Sequence, residues 1–122
     1  TEKQQEYIDK IIGYTIKVNA KQWIKFSRVT FVHKTKKERL TMDVNLTFNT
    51  NEEKGDLKNI VIAEVKQERM SRSSDFMKIV KEMRILPFRL SKYCMSSMQL
   101  WPQLKQNRFK EKQRFVNKLQ KL

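Results

Sequence analysis

The sequence predicts an α+β domain in which helices flank an antiparallel sheet, and three observations support this fold class. Two stretches rich in β-branched and aromatic residues are joined by a short polar connection. A third apolar stretch follows a segment with the composition of a loop. Helical periodicity occurs before these stretches and again after them. At 122 residues, the chain is long enough for a single domain with a modest core.

The predicted strands lie in the middle of the chain. The first covers residues 23–34 and the second residues 38–48, and their connection is short enough for a hairpin. In the second strand apolar side chains alternate with polar ones, which predicts that its apolar members share one face. These members are Leu40, Met42, Val44, Leu46 and Phe48. Residues 49–56 are predicted to be a loop, and a third strand is predicted at about residues 57–68.

Helices are predicted on both sides of the strands. The first covers residues 2–12 and ends at Gly13. The second is capped by Asp75 and extends to about residue 83, and the third covers residues 90–100 between the two prolines. Asn107 is predicted to cap a final basic helix that runs to the end of the chain.

The charge balance predicts a strongly anionic partner. Lys and Arg number 27 against 13 Asp and Glu, a net charge of +14, and nucleic acid, an anionic membrane surface and a phosphate chain all fit this sign. The single Cys94 excludes an internal disulfide and, with the single His33, cannot by itself build a zinc site. No apolar run approaches the ~18 residues of a membrane helix, and the polar start is unlike a secretory signal. A cytoplasmic location is therefore expected.

Charged side chains are predicted to gather on the sheet face that points away from the helices, because neighbouring strand residues point to opposite faces. The residues concerned are Arg28, Arg39, Asp43, Glu64 and Lys66. The third strand begins with an apolar run at residues 60–63, which indicates cover on both sides and predicts that Glu64 and Lys66 are enclosed. A closed or nearly closed sheet with a polar interior fits these conditions. The alternative is a face that simply meets water.

This set of residues suits a phosphate chain. Arg offers a planar fork to phosphate oxygens and Lys a compact charge. A carboxylate fits among them if it holds Mg²⁺ or Mn²⁺, since these ions also take oxygens from phosphates. Glu64 is the candidate metal ligand, and the alternative for it is a salt bridge with Lys66 or an arginine. Phosphoryl transfer requires no nucleophilic side chain, which agrees with the absence of a Ser-His-Asp or Cys-His signature.

Two segments resemble a known family: residues 62–66 (Ile-Ala-Glu-Val-Lys) and residues 89–94 (Arg-Leu-Ser-Lys-Tyr-Cys). They are similar to the VTC family, the vacuolar transporter chaperone domains and their bacterial relatives, which look like triphosphate tunnel enzymes. The resemblance extends from residues 26–29 through residues 39–43 to residues 107–110. It covers most of the chain, but only the carboxy-terminal half of a family domain.

The resemblance implies a function as well as a fold. The sheet would be part of a triphosphate-tunnel-like barrel, completed by amino-terminal strands of the same domain. The complete domain would be a polyphosphate polymerase that uses Mn²⁺ or Mg²⁺ to move the γ-phosphate of ATP onto a growing polyphosphate chain. The 122 residues alone would bind polyanions without catalysis. A triphosphate hydrolase of the same architecture is an alternative.

Carried over residue by residue, the resemblance implies particular roles. The implied phosphate-binding residues are Arg28, Arg39, Lys66, Arg89, Ser91 and Lys92. Among them Arg28, Arg39 and Lys66 are the implied catalytic residues, and Glu64 is the implied metal ligand. Ser91 lies at a predicted helix start, where unpaired backbone N–H groups favour an anion. The alternative for Ser91 is an ordinary helix cap, and Tyr93 and Cys94 are expected in the core.

Two other partner classes fit the sequence less well. A nucleic-acid module would need aromatic side chains on the charged face, and Phe26 is the one clearly predicted there. The final helix interleaves basic and apolar residues, but its apolar stripe is narrow for docking on a membrane. The resemblance implies ATP and polyphosphate as the partners, and neither nucleic acid nor a membrane is expected.

Overall fold

The computed structural model describes residues 1–122 as four α-helices, one 3-10 turn and four strands. In chain order these are α1 (Glu2–Ile12), β1 (Trp23–Val32), β2 (Glu38–Asn49), β3 (Lys54–Asp56), β4 (Ile62–Gln67), α2 (Asp75–Glu82), α3 (Lys92–Leu100), the 3-10 turn Asn107–Phe109 and α4 (Lys110–Gln120). Every strand pair is antiparallel. The predicted α+β class is confirmed. No helix has both the length and the hydrophobicity that crossing a membrane requires.

The sheet is built around β2 and is open. β1 pairs along one side of β2, while β3 and β4 pair along its other side. β1 and β4 pair with no other strand, so each leaves a free edge. Because these two edges lie on opposite sides of β2, the sheet of this chain does not close on itself. The expected closed or nearly closed sheet is therefore not found within residues 1–122.

One extra residue in β2 interrupts its alternation. In the β1–β2 ladder, Lys25 pairs with Thr47, whereas Ser27 pairs with Val44, so β2 has one more residue between these pairs than β1 has. Asn45 lies in this bulge with a φ of 55°. Asn tolerates this left-handed conformation better than most residues with a side chain. The bulge therefore reverses which side chains share a face on either side of it.

The reversal divides one sheet face into two parts. The apolar end carries Leu46 and Phe48, and the charged end carries Arg28, Arg39, Asp43, Glu64 and Lys66. Leu46 and Phe48 are buried on the same face as Asp43, so the prediction that they share a face with Leu40 and Met42 is wrong. They form the core together with buried residues of α3, α4 and the segment before β4. The core is Leu46, Phe48, Leu57, Met95, Met98, Leu100 and Val116. The helices therefore pack on the face that carries the charges, and not opposite it as predicted.

The opposite face of the sheet has little cover. Val29 is 48% exposed and Phe31 is 52% exposed, and the neighbouring Leu40, Met42 and Val65 are only half-buried. Only 12 of the 122 residues are buried, so the core occupies one end of one sheet face. At the charged end of that face Asp43 is buried, whereas the cations and Glu64 are exposed.

The strand boundaries differ from the predicted ones in two places. The predicted loop contains β3, a strand of three residues that packs against α3. β4 begins at Ile62 and not near residue 57, since the intervening segment turns at Asn59, whose φ is 58°. Leu57 is buried in the core from this turn rather than from a strand.

The helix caps confirm some predictions and correct others. α1 has the predicted bounds, because Thr1 caps its start and Gly13 ends it with a φ of 83°. The cap of α2 is Ser74 rather than Asp75: its Oγ accepts a hydrogen bond from the Met77 N–H at 3.2 Å. Asn107 does not cap α4, because a 3-10 turn precedes that helix.

Candidate functional site

Strand pairing places the predicted charged residues on one face. In the antiparallel ladders, Arg28 pairs with Asp43, Arg39 with Lys66, and Thr41 with Glu64. Residues paired in this way have side chains on the same side of a sheet. Arg28, Arg39, Glu64 and Lys66 therefore lie together with Asp43 at the charged end of the face described above.

A buried carboxylate organises two of these cations. The Asp43 side chain is 2% exposed. It accepts hydrogen bonds from Arg28 Nε at 2.6 Å and Arg28 Nη2 at 2.8 Å, and Lys92 Nζ lies 2.6 Å from its Oδ2. The arginine contact is bidentate, which fixes the orientation of the guanidinium. Because Lys92 is the first residue of α3, this contact also joins the helix to the sheet. We call these three residues the Asp43 cluster.

The charges of the Asp43 cluster persist well below neutral pH. The hydrogen bond from Arg28, aided by Lys92 and opposed by burial, lowers the pKa of Asp43 from 3.8 to about 2. The bond to Asp43 in turn raises the pKa of Arg28 above its usual value. The cluster therefore holds two cations and one anion, a net charge of +1.

Both cations of the Asp43 cluster retain hydrogen-bond donors for a ligand. The Arg28 side chain is 42% exposed, and its Nη1 makes no contact with Asp43. The Lys92 side chain is 22% exposed, and an ammonium group has three N–H donors. The Phe26 ring lies 5.0 Å from Arg28 Cζ and 5.0 Å from Lys92 Nζ. Phe26 thus lies on the charged face as predicted, where it contacts both cations.

Glu64 and Lys66 are paired with each other and are open to solvent. Lys66 Nζ lies 3.6 Å from Glu64 Oε1, and the two side chains are 61% and 50% exposed. The prediction that they are enclosed is wrong: β4, which carries both, is a free edge of the open sheet, and Val61 in the preceding apolar run is itself 53% exposed. Arg39, opposite Lys66, is exposed and forms no salt bridge. The salt bridge with Lys66, predicted as the alternative role of Glu64, is thus present. As an exposed pair, it contributes little to the stability of the fold.

The acidic residues do not form a metal site by themselves. No three His, Cys, Asp or Glu side chains lie together in a way that could hold an ion. A single accessible carboxylate nevertheless suits Mg²⁺ or Mn²⁺ when the other ligands are phosphate oxygens and water. Glu64 is an accessible carboxylate of this kind, since its side chain is half exposed and lies beside Lys66.

A cavity of about 430 Å³ adjoins this charged end. Eleven residues line it, and its polar members are Glu64, Arg89, Ser91 and Lys112. Arg89 and Ser91 come from the segment that enters α3, and Lys112 comes from α4. The sequence reasoning did not identify Lys112 or assign a role to Asp43. Lys112 is detectable in principle, because it occupies the apolar stripe of α4 between Phe109 and Val116, where a solvated lysine would be out of place.

Ser91 and its neighbours have local structural roles as well. Ser91 Oγ accepts a hydrogen bond from the Cys94 N–H at 3.2 Å and so caps α3, as the alternative reading of this serine predicts. Its hydroxyl hydrogen remains free to donate. Cys94 is half-buried beside the cavity, but Tyr93 is 58% exposed, so its prediction as a core residue is wrong. It lies on the outer side of the helix.

His33 has a structural role in the β1–β2 hairpin. Its Nδ1 accepts hydrogen bonds from the backbone N–H groups of Thr35 and Lys36 at 3.1 and 3.0 Å, which orders the β1–β2 hairpin. Its Nε2 lies 3.2 Å from Asp75 Oδ2, and this contact lowers the pKa of Asp75. His33 thereby connects the hairpin to the start of α2 and lies outside the charged end.

Comparison with known proteins identifies the family. An open antiparallel sheet with basic side chains and two acids on one face defines the class as a basic α+β domain. The model of the VTC domain matches residues 1–101. The chain belongs to the VTC domain family, which confirms the resemblance and connects the chain with polyphosphate chemistry in general. Neither the curated proteins nor the solved structures include a match.

Proposed function

We propose that the charged end of the sheet binds the phosphates of ATP and polyphosphate. In the complete domain, it would take part in metal-dependent transfer of the ATP γ-phosphate to a growing polyphosphate chain. The observation that carries this proposal is the Asp43 cluster: a buried carboxylate holds Arg28 and Lys92 side by side, with spare donors, on the same sheet face as Arg39 and Lys66. Membership of the VTC domain family supports it independently.

The arrangement suits a linear polyanion better than a single phosphate. Arg28, Arg39 and Lys66 come from β1, β2 and β4, three adjacent strands, and neighbouring strands lie about 4.8 Å apart. Arg39 and Lys66 are directly paired, whereas Arg28 pairs with Asp43, four residues from Arg39 along β2. The cations are therefore spread over the sheet rather than gathered around one point. Because Asp43 holds Arg28 and Lys92 in place, less side-chain entropy would be lost when phosphates bind.

The proposed reaction depends on positioning and on charge neutralisation. Arg28, Arg39 and Lys66 would hold phosphate oxygens and reduce the repulsion between donor and acceptor chains. The terminal phosphate of the growing chain would be the nucleophile: its oxygen would bond to the γ-phosphorus of ATP as the bond to the β–γ bridging oxygen breaks and ADP leaves. No residue of the protein would become covalently modified. Glu64 would hold Mg²⁺ or Mn²⁺, which would neutralise charge on the transferred phosphoryl group.

Catalysis is assigned to the complete domain because the sheet is open. β1 and β4 each present a free edge, and unpaired strand edges are templates for further strands. We propose that amino-terminal strands of the same domain pair there, complete a triphosphate-tunnel-like barrel and enclose Glu64 and Lys66. Glu64 and Lys66 would then be exposed only when those strands are absent, and would be covered in the complete domain.

A competition experiment separates this proposal from a nonspecific nucleic-acid surface. The chain would be loaded with a fluorescent polyphosphate and titrated with tripolyphosphate or with a single-stranded RNA oligonucleotide, matched in total charge. A site built for phosphates predicts that tripolyphosphate displaces the probe at a lower concentration. Equal displacement by both would contradict the proposal and favour a general basic surface.

A further inference from the structure

We propose that the cavity beside Ser91 binds the nucleoside part of the nucleoside triphosphate that donates the phosphate. This inference rests on the proposed function and deepens it, because it assigns the organic half of the substrate to named residues. Those residues lie at the junction of β4, α3 and α4, next to the Asp43 cluster.

The lining of the cavity differs from that of a purely phosphate-binding site. Seven of its eleven lining residues are hydrophobic. Met95 is buried, while Ile62, Leu90 and Phe109 are half-buried. An inorganic phosphate chain has no apolar surface to place against such residues, whereas a nucleoside has a flat base that gains from apolar contact. The volume of about 430 Å³ falls within the range of small-molecule pockets, which typically combine an apolar lining with a few polar groups.

The cavity is placed so that a bound nucleoside could extend its phosphates to the Asp43 cluster. Ile62, which lines the cavity, pairs directly with Asp43 in the β2–β4 ladder, and side chains paired in this way lie about 5 Å apart. Ser91, also in the lining, immediately precedes Lys92. The path from the cavity to Arg28 and Lys92 is therefore short enough for a triphosphate.

Two unpaired cations at the cavity supply the link between nucleoside and phosphates. Arg89 and Lys112 both line the cavity, and neither forms a salt bridge. Lys112 is half-buried beside the apolar lining, where an ammonium group without an anionic partner is unfavourable. A phosphate next to the nucleoside would pair with it. Lys112 lies beyond the residues that match the family, which end at position 101.

The single cysteine provides a direct test that needs no substitution. Cys94 lines the cavity and is half-buried, so its rate of alkylation by N-ethylmaleimide reports whether the cavity is occupied. ATP present at about ten times its Kd is expected to slow alkylation about tenfold, because only the free protein then reacts. Tripolyphosphate at the same saturation is expected to slow it much less. Equal protection by both ligands, or none by ATP under conditions where calorimetry shows it bound, would overturn the proposal.

A matched pair of variants on α4 tests the role of Lys112. Lys112→Gln is expected to weaken ATP binding about tenfold, as for loss of a charge-assisted contact, and to weaken tripolyphosphate binding less, because tripolyphosphate has no nucleoside to hold a phosphate beside Lys112. Lys110→Gln removes an exposed lysine from the same helix and is expected to change neither affinity. Should Lys112→Gln bind ATP like the wild type, the nucleoside assignment fails while the phosphate site stands. If the wild-type chain binds neither ligand, both the assignment and the proposed function fail.

Discussion

Asp43 is the residue on which the geometry of the charged end depends. Its carboxylate is buried and takes three hydrogen bonds or ion-pair contacts from Arg28 and Lys92. A buried carboxylate that loses its main partner is strongly destabilising, and Arg28, which makes the bidentate contact, is that partner. Arg28→Ala is therefore expected to reduce stability as well as phosphate affinity, and alone it does not separate the two roles.

The titration of Asp43 predicts a pH dependence of stability. Its pKa is about 2 in the folded protein, below the ordinary 3.8, so the stabilisation it provides is present above about pH 4. This stabilisation, about 2 kcal/mol, is lost as the pH falls toward 2. Urea unfolding of the wild type between pH 5 and pH 2 should show the decrease.

Two variants isolate the contribution of Asp43 from those of the other carboxylates. Asp43→Asn should lower the free energy of unfolding at pH 5 and flatten its dependence on pH, while Glu52→Gln in an exposed loop should leave the wild-type profile intact. Parallel profiles for Asp43→Asn and the wild type would contradict the assigned pKa shift.

Lys92 is the cation whose removal should affect ligand binding most cleanly. Lys92→Ala is expected to weaken tripolyphosphate binding by about 1–3 kcal/mol, because it removes a charge-assisted contact. Asp43 keeps its bidentate contact with Arg28 in this variant, so the protein should still fold. Calorimetric titration measures the effect, with Lys118→Ala on the exposed side of α4 as the control. Equal affinities in Lys92→Ala and the wild type would remove Lys92 from the site.

The proposed role of Glu64 predicts that a divalent metal ion strengthens tripolyphosphate binding only when this carboxylate is present. Without a divalent ion, Glu64→Gln should bind tripolyphosphate at least as well as the wild type, because a repelling carboxylate is gone. With Mg²⁺ or Mn²⁺, the wild type should gain affinity and the variant should not. Glu68→Gln, which removes the exposed partner of Lys37, is the control. An equal gain in Glu64→Gln would show that Glu64 does not hold the metal.

At the scale of secondary-structure elements, the position of β3 against the core depends on Gly55. A Cβ on Gly55 would collide with the Phe48 ring and lie 3.0 Å from Gln99 Oε1, so a larger residue would push β3 away from the core. Gly55→Ala is expected to reduce the free energy of unfolding by about 1–3 kcal/mol through overpacking. Urea unfolding measures the loss, with Lys54→Ala on the same strand as the control. Unchanged stability would mean that β3 moves freely over Phe48.

Elements with strong local signals were predictable, and those set by tertiary context were not. The bounds of α1 follow from Thr1 and Gly13, which act within the helix itself. The faces of β2 were predictable up to residue 44, but the bulge at Asn45 depends on its pairing with β1. β3 is too short for a periodic signal and forms because it packs on β2 and α3.

The same division applies to the candidate site. Alternation within strands predicts that Arg28, Arg39, Glu64 and Lys66 share a face, and the ladder registers agree. The contact between Asp43 and Lys92 joins residues far apart in the chain, so no local pattern reveals it. The proximity of Lys112 to Glu64 at the cavity is likewise a result of helix packing.

At the scale of the whole molecule, cations are abundant on every element, so selectivity has to come from geometry. A net charge of +14 attracts any polyanion to any basic surface, with an affinity that falls as salt rises. The charged end differs because the Asp43 cluster fixes its cations, whereas lysines of α4 such as Lys110 and Lys118 are exposed and unpaired. Specific and nonspecific binding should therefore occur at different places on the protein.

A heteronuclear NMR titration of the isotope-labelled chain with tripolyphosphate at physiological salt locates the binding surface directly. The proposed site predicts that the largest and earliest shifts belong to residues around Arg28, Arg39, Glu64 and the start of α3 at Lys92. Shifts that concentrate on residues 110–120, or that spread evenly over the lysines of the molecule, would contradict a phosphate site at the charged end of the sheet.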